Sequence, residues 1–212
     1  MTKRDKAIKV KAFLDREYGL IATYLHYDRS KPYQLLFCIM LSAQTTDGAV
    51  NKVTPILFAR YQTLKDLAKA DEREVEAIIR PVGLAPTKAR HLVKAAQMVL
   101  TDFKGQLPKD RKALMALPGV GYKTAGVYLG ERYDFPYIPV DTHVAVVAQK
   151  LGFVAKGTSP ERIERTLEKC FGGLGDLMNT HRQLIMFGRK VCHPSTTPKH
   201  CWDVIEGRSI KG

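Results

Sequence analysis

The chain of 212 residues has no apolar stretch able to cross a bilayer. Its longest unbroken apolar run, residues 35–41, is far short of the roughly 18 residues a spanning helix needs. Cysteine is scarce, four residues at positions 38, 170, 192 and 201, too few and too scattered for a disulfide scaffold. The N-terminal Met1-Thr-Lys-Arg-Asp-Lys6 leads into mixed charge without an apolar leader, so the expected place is a reducing cytoplasm. No segment alternates in two-residue steps with hairpin-turn chemistry. The best extended stretch, Pro136-Tyr-Ile-Pro-Val140, carries two prolines and reads as a connection rather than a strand. Low-complexity segments and solenoid repeats are missing. Acidic residues are also short: 21 Asp and Glu face 34 Lys and Arg, a formal net charge of +13.

What is present is an ordinary globular balance, 45% apolar and 26% charged, with material for a real core. The excess of positive charge expects a polyanion, nucleic acid first, and no block of five like charges marks a basic tail. Charge held only for solubility is the plainer alternative. Helical periodicity runs almost throughout. Ala89, Leu92, Val93, Ala96, Val99, Leu100 and Phe103 form one apolar stripe, with Thr87 expected as N-cap and Gly105 as stop. Residues 33–43 are apolar nearly all round and read as a buried central helix. Thr46 or Asp47 should cap the next helix, and Asp71 to Glu74 has capping-box spacing. Ser159-Pro160 starts a later helix, and Gly172-Gly173 breaks the chain before residues 177–187 resume it. The expected class is all-α.

The sharpest feature is Leu117-Pro-Gly-Val-Gly-Tyr-Lys-Thr-Ala125. An apolar helix over residues 113–117 should end at Pro118, turn through Gly119, Val120 and Gly121, and restart near Tyr122. Glycines permit positive φ and leave backbone N–H groups uncovered at a helix N-terminus, where an anion is favoured. Such a turn can hold one DNA phosphate without reading sequence. Val120 is expected to point back and pin the two helices. A bare Gly-x-Gly would more often be a plain helix connection; the full string is far more specific.

That string resembles the helix-hairpin-helix of the endonuclease III family of DNA glycosylases. Leu41-Ser-Ala-Gln-Thr-Thr-Asp47 with Val50-Asn-Lys52, Val82-Gly-Leu84 with Lys88-Ala89, and Val140-Asp-Thr-His143 resemble further segments of that family, in matching order over residues 34–192. The resemblance implies two helical domains with a DNA-binding cleft between them, residues 23–135 holding the hairpin and residues 1–22 plus 136–212 forming the other. It implies a bifunctional glycosylase and AP lyase of base excision repair, acting on oxidised pyrimidines in double-stranded DNA as a cytoplasmic, nucleoid-associated monomer with no membrane partner.

Base removal breaks the bond from C1′ to the base through an oxocarbenium-like state. It needs water or an amine as nucleophile, and a carboxylate to balance the developing charge. Lys123 and Asp141 are the catalytic candidates. A target base must leave the duplex, and Gln44 matches the family's hole-filling polar group while Leu84 matches its apolar wedge. Lys88, Gly119, Val120, Gly121 and His143 complete the DNA-binding candidates. Each residue taken singly has a plainer reading: Lys123 a solvated first-turn lysine, Asp141 an N-cap, His143 structural, Gln44 a helix-end hydrogen bonder, Leu84 a packed turn residue. Related specificities, mismatched thymine or adenine, and a non-catalytic hairpin module are the rival functions. Lys123 weighs against the adenine-specific relatives, and Lys123 with Asp141 against the bare module.

One departure stands out. Typical relatives end in four cysteines, C-x6-C-x2-C-x5-C, holding a 4Fe–4S cluster. Here Cys192 and Cys201 alone lie in that region, and residues 202–212 hold no cysteine, so no cluster is expected. Zinc on Cys192, His193, His200 and Cys201 is conceivable by residue type, but neighbouring Cys-His pairs point apart, and no metal site is expected. Trp202, Val204 and Ile205 remain to hold the C-terminal segment, with Trp202 expected near residues 177–187.

Overall fold

The computed structural model describes residues 1–208, and every regular element among them is helical. In chain order they are α1 (Lys3–Tyr18), α2 (Pro32–Leu41), α3 (Asp47–Arg60), α4 (Leu64–Ala68), α5 (Glu72–Ile79), a 3-10 turn (Arg80–Val82), α6 (Ala85–Thr101), α7 (Arg111–Met115), α8 (Tyr122–Tyr133), α9 (Thr142–Lys150), α10 (Pro160–Phe171), α11 (Leu177–Lys190) and α12 (Pro198–Ile205). The backbone divides into two compact units, Thr23–Arg132 and Met1–Ala22 with Tyr133–Gly212. No helix among the described residues is long and apolar enough to cross a membrane.

The middle unit is built around α2. Its residues from Gln34 to Leu41 are all buried, as its nearly unbroken apolar sequence requires. The stripe of α6 is buried at Ala89, Leu92, Val93, Ala96 and Val99, and α6 packs on α4 and α5. Two boundary expectations are corrected. α6 begins at Ala85, with Leu84 rather than Thr87 at the N-cap position, because Pro86 fits the first turn where its missing N–H costs nothing. The helix ends at Thr101, before Gly105, which returns its N–H to Val99 O. Thr46 caps α3 through the Ala49 amide. Asp71 caps α5, but Glu74 closes no box with it; its carboxylate turns to the Arg60 Nε and the Tyr61 hydroxyl.

The other unit joins both ends of the chain in one core. Val10, Phe13 and Leu14 of α1 meet Ile138, Val140, Val144, Leu151, Leu184 and Phe187. The Phe13 and Phe187 rings pack edge-on at 5.4 Å. Residues 134–141 form no helix or strand, in keeping with a connection at residues 136–140, and Ile138 and Val140 fasten it to the core.

The C-terminal segment departs from expectation. Cys192 and Cys201, read as separate thiols, form a disulfide with Cα atoms 5.3 Å apart, and both are fully buried. α12 rests on α1: Cys201 and Ile205 are its buried residues, and Trp202, partly covered, packs against the core that includes Leu177, Leu184 and Phe187, with the Lys6 ammonium 6.0 Å from its ring. Lys150 Nζ donates to the carbonyls of His193, Pro194 and Thr196, gathering the loop that the disulfide closes.

A link closing so short a loop stabilises the chain by about 2.5 kcal/mol in the chain-entropy account. Denatured without reductant, the protein should therefore titrate two thiols, Cys38 and Cys170, and four after reduction. Cys201→Ser should lower unfolding stability by about that amount, plus whatever the buried hydroxyl costs. Four reactive thiols in the unreduced protein would contradict the link.

Candidate active site

Asp110 caps α7 by accepting the Ala113 amide at 2.8 Å, and Leu114 and Leu117 anchor this short helix in the core. The turn that follows uses its two glycines differently. Gly119 has φ +80°, and a Cβ there would lie 2.8 Å from His91 Nδ1 and 2.9 Å from His91 Cβ. Backbone and packing each require glycine at that position. Gly121 is outside the left-handed region, and a Cβ on it would meet nothing. Positive φ, which both glycines permit, is adopted by Gly119 and not by Gly121. The second glycine leaves a bare surface where α8 begins, its carbonyl accepting the Ala125 amide at 3.0 Å.

Val120 is buried, as its pinning role predicts, and its N–H donates to Leu117 O at 3.1 Å. Its amide is thus spent within the turn, and Val120 shapes the hairpin rather than offering a free donor. The Arg111 guanidinium stacks 4.2 Å from the Tyr122 ring, tying α7 to the start of α8. Lys123 is exposed in the first turn of α8, at the end where the helix dipole favours an anion.

Two further candidates of the same unit share an unusual backbone state. Gln44, in the turn after α2, and Leu84, before α6, have φ of 56° and 50°. Non-glycine residues rarely adopt this conformation, and strain of this kind concentrates at functional sites. Both side chains are exposed, Leu84 at 60%, so the reading of Leu84 as packed into the core does not hold. Lys88 is the candidate that moves. Expected at the DNA surface, it is 8% exposed, and its ammonium donates to Leu41 O (2.8 Å), Ala43 O (2.9 Å) and Val82 O (3.0 Å). An ammonium has three donors, so none is left for a phosphate. Burial also pulls its pKa below the ordinary lysine value.

In the other unit, Asp141 sits at the end of the connection and caps α9, its Oδ1 accepting the Val144 amide at 2.8 Å. The cap fixes one oxygen of a half-buried carboxylate whose backbone is held by the buried Val140 beside it. His143 is half-buried and packs its Cβ against Gly188 of α11, where an added methyl would stand 2.9 Å away. The residues that sequence reasoning missed are His91, the wall behind Gly119, and Thr45, whose hydroxyl donates to Val82 O at 2.8 Å. Neither lies in a motif that signals such a role.

The donors present do not fit a 4Fe–4S cluster. Cys192 and Cys201 are bonded to each other. Cys38 lies inside α2 of the other unit, where burial pushes its thiol up to about 12, and Cys170 is in α10. Among the described residues no three His, Cys, Asp or Glu side chains converge, so the zinc set Cys192, His193, His200 and Cys201 does not assemble either.

Residues 37–172 match the model of the HhH-GPD superfamily base excision DNA repair protein family. Endonuclease III of Bacillus subtilis (strain 168) is 39% identical over 163 residues, 77% of this chain and 74% of that protein. A solved non-covalent endonuclease III–DNA complex superimposes with a TM-score of 0.84 at 35% identity, over 93% of this chain and 91% of that one. A trapped endonuclease III–DNA covalent intermediate does so at 0.83, with the same identity and coverage. The chain belongs to the HhH-GPD superfamily of base excision DNA repair proteins and, within it, to the endonuclease III family of DNA glycosylases.

Proposed function

We propose that this glycosylase is bifunctional: it removes oxidised pyrimidines from double-stranded DNA and then cleaves the abasic site, acting as a cytoplasmic monomer. The observation that carries the reading is Lys123, an exposed lysine in the first turn of the helix that the glycine hairpin launches. A relative trapped as a covalent DNA intermediate supports a protein nucleophile in this fold. The bare Gly121 face and the N-terminus of α8 would hold a phosphate, and Gln44 and Leu84 would fill the stack left by the extruded nucleotide.

In this scheme the Lys123 amine, without its extra proton, attacks C1′. The C1′–N bond breaks, its electron pair leaves with the base, and the base takes up a proton. In the resulting N,O-acetal the C1′–O4′ bond breaks, O4′ takes up a proton, and a Schiff base forms between Nζ and C1′. Loss of a proton from C2′ then expels the 3′ phosphate by β-elimination, and water releases the lysine. Asp141 offsets the positive charge that develops on the sugar, and its use as a cap suits this because it keeps the carboxylate still. His143 supports α9 through its packing on Gly188. A thymine-mismatch specificity uses the same parts; duplexes carrying thymine glycol, an abasic site or a mismatch distinguish the substrates.

Lys123→Gln should retain DNA binding and lose strand cleavage and borohydride trapping by orders of magnitude. Trapping at the parent level in that variant would overturn the assignment.

Asp141→Asn should slow single-turnover base release roughly 10²–10³-fold. Unfolding stability should change by less than about 0.5 kcal/mol, because asparagine also caps helices. A large stability loss with an unchanged rate would leave Asp141 as a cap and nothing more.

We further infer that the chain works without an iron–sulfur cluster, since its two C-terminal thiols are consumed in one disulfide. Protein purified anaerobically should be colourless and hold no stoichiometric iron or labile sulfide by elemental analysis. Four irons per chain would refute this.

A further inference from the structure

The proposed function gives Gln44 and Leu84 tasks in the DNA stack and leaves unexplained what holds two strained residues from separate segments in place. Gln44 follows α2, and Leu84 follows the 3-10 turn Arg80–Val82. Each is exposed with φ near +50° to +56°. An exposed residue in that conformation relaxes unless its neighbours prevent it. The segment before Gln44 presents the Leu41 and Ala43 carbonyls, and the segment before Leu84 presents the Val82 carbonyl. All three accept from one atom, Lys88 Nζ, at 2.8, 2.9 and 3.0 Å. The Thr45 hydroxyl donates to the same Val82 carbonyl at 2.8 Å, a second tie between the two segments. The Lys88 amide meanwhile donates to Leu84 O at 3.0 Å, so the lysine also holds the wedge residue from its helix side. No carboxylate among the described residues shares the ammonium, so its hydrogen-bonding capacity goes to these carbonyls alone.

The geometry points to Lys88 as a positioning residue that locks the Gln44 and Leu84 loops into one preformed unit before DNA arrives. This rests on the reading that Gln44 and Leu84 enter the stack. The ammonium touches no part of the substrate; it acts by making the two loops a single rigid element, so that the hole-filling group and the wedge are delivered together. Entering a paired duplex is where this matters most, because the unstacking cost is least at a site that has already lost its base.

The test uses the full chain with Lys88→Met, which keeps the alkyl packing and removes the donors. In the free protein, hydrogen exchange at amides in residues 42–45 and 82–85 should quicken relative to the rest of α2 and α6. Single-turnover base release from a paired thymine glycol should fall at least roughly tenfold, with a much smaller loss in cleavage of a preformed abasic site. Fluorescence of 2-aminopurine beside the lesion should report slower extrusion. Lys88→Arg should not restore the ratio, since a planar fork cannot address three converging carbonyls. Leu84→Ala and Gln44→Ala should each shift the same ratio, and adding Lys88→Met to Leu84→Ala should add little. Should Lys88→Met fail to fold, Thr45→Val cuts only the second tie and should shift exchange and ratio in the same direction by a few-fold. Unchanged ratios in Leu84→Ala and Gln44→Ala would overturn the placement of those residues in DNA, and with it the task given to Lys88. A shift there with unchanged exchange and ratio in Lys88→Met, or in Thr45→Val where that variant replaces it, would overturn the role of Lys88 alone.

Discussion

A helix apolar on every face has to be enclosed, and its final carbonyls then lie where water does not reach them. α2 imposes this on the middle unit. Every residue from Gln34 to Leu41 is buried, and the last turn leaves acceptors with no partner in the helix itself. Unmet, each would carry a desolvation penalty of about 1–3 kcal/mol. The Lys88 ammonium resolves one of them, at Leu41, and spends its other two donors on Ala43, two residues past the helix, and on Val82. Closing the end of the central helix therefore also fixes the two turns that leave it and approach α6. Core formation and the placement of the exposed Gln44 and Leu84 are one physical event, not a scaffold with loops added.

The hairpin shows the same economy at smaller scale. His91, on α6, occupies the space a side chain at Gly119 would need, so the turn is built against the helix that carries Lys88. Arg111 over Tyr122 joins its two arms. These contacts leave one surface without side chains, at Gly121, and the exposed Lys123 stands in the first turn of the helix that follows it. The rigid side of the turn faces the protein, and the bare side faces outward.

Much of this was legible as pattern. The stripe of α6, the all-apolar α2, the caps Thr46, Asp71 and Asp141, and the connection carrying two prolines follow from local rules that the packed structure keeps. The hairpin string marked the site because few turns need that combination. What could not be read shares one cause: it depends on where a side chain's far end arrives. Lys88 occupies a stripe position, three residues after Ala85 and four before Leu92, yet its charge assigned it to the surface. Nothing in the sequence near it announces carbonyls from two other segments. The left-handed turns at Gln44 and Leu84 are equally silent, because neither residue type favours them. The pairing of Cys192 with Cys201 depends on how the α11–α12 loop folds back, and the sequence, read as two separate thiols, did not announce it.

The positive charge needs the same correction. A net +13 suggested a surface made for phosphates, and part of the basic complement is instead engaged at helix ends. Arg4 donates to Cys170 O and Gly172 O at the close of α10, and Lys6 to Leu151 O and Gly152 O at the close of α9. Lys88 does so for α2, and Lys150 for the loop after α11. A cation at a C-terminus satisfies stranded carbonyls and sits at the negative end of the dipole, so each charge is favourable where it lies. Basic residues thus perform two tasks that composition cannot separate. Some basic residues, Lys123 among them, have exposed side chains, while Arg4, Lys6, Lys88 and Lys150 hold turns at helix ends. Neutralising Lys88 or Lys150 would lower the net charge as much as neutralising a surface lysine. Its physical effect would be the release of a loop rather than the loss of a phosphate contact.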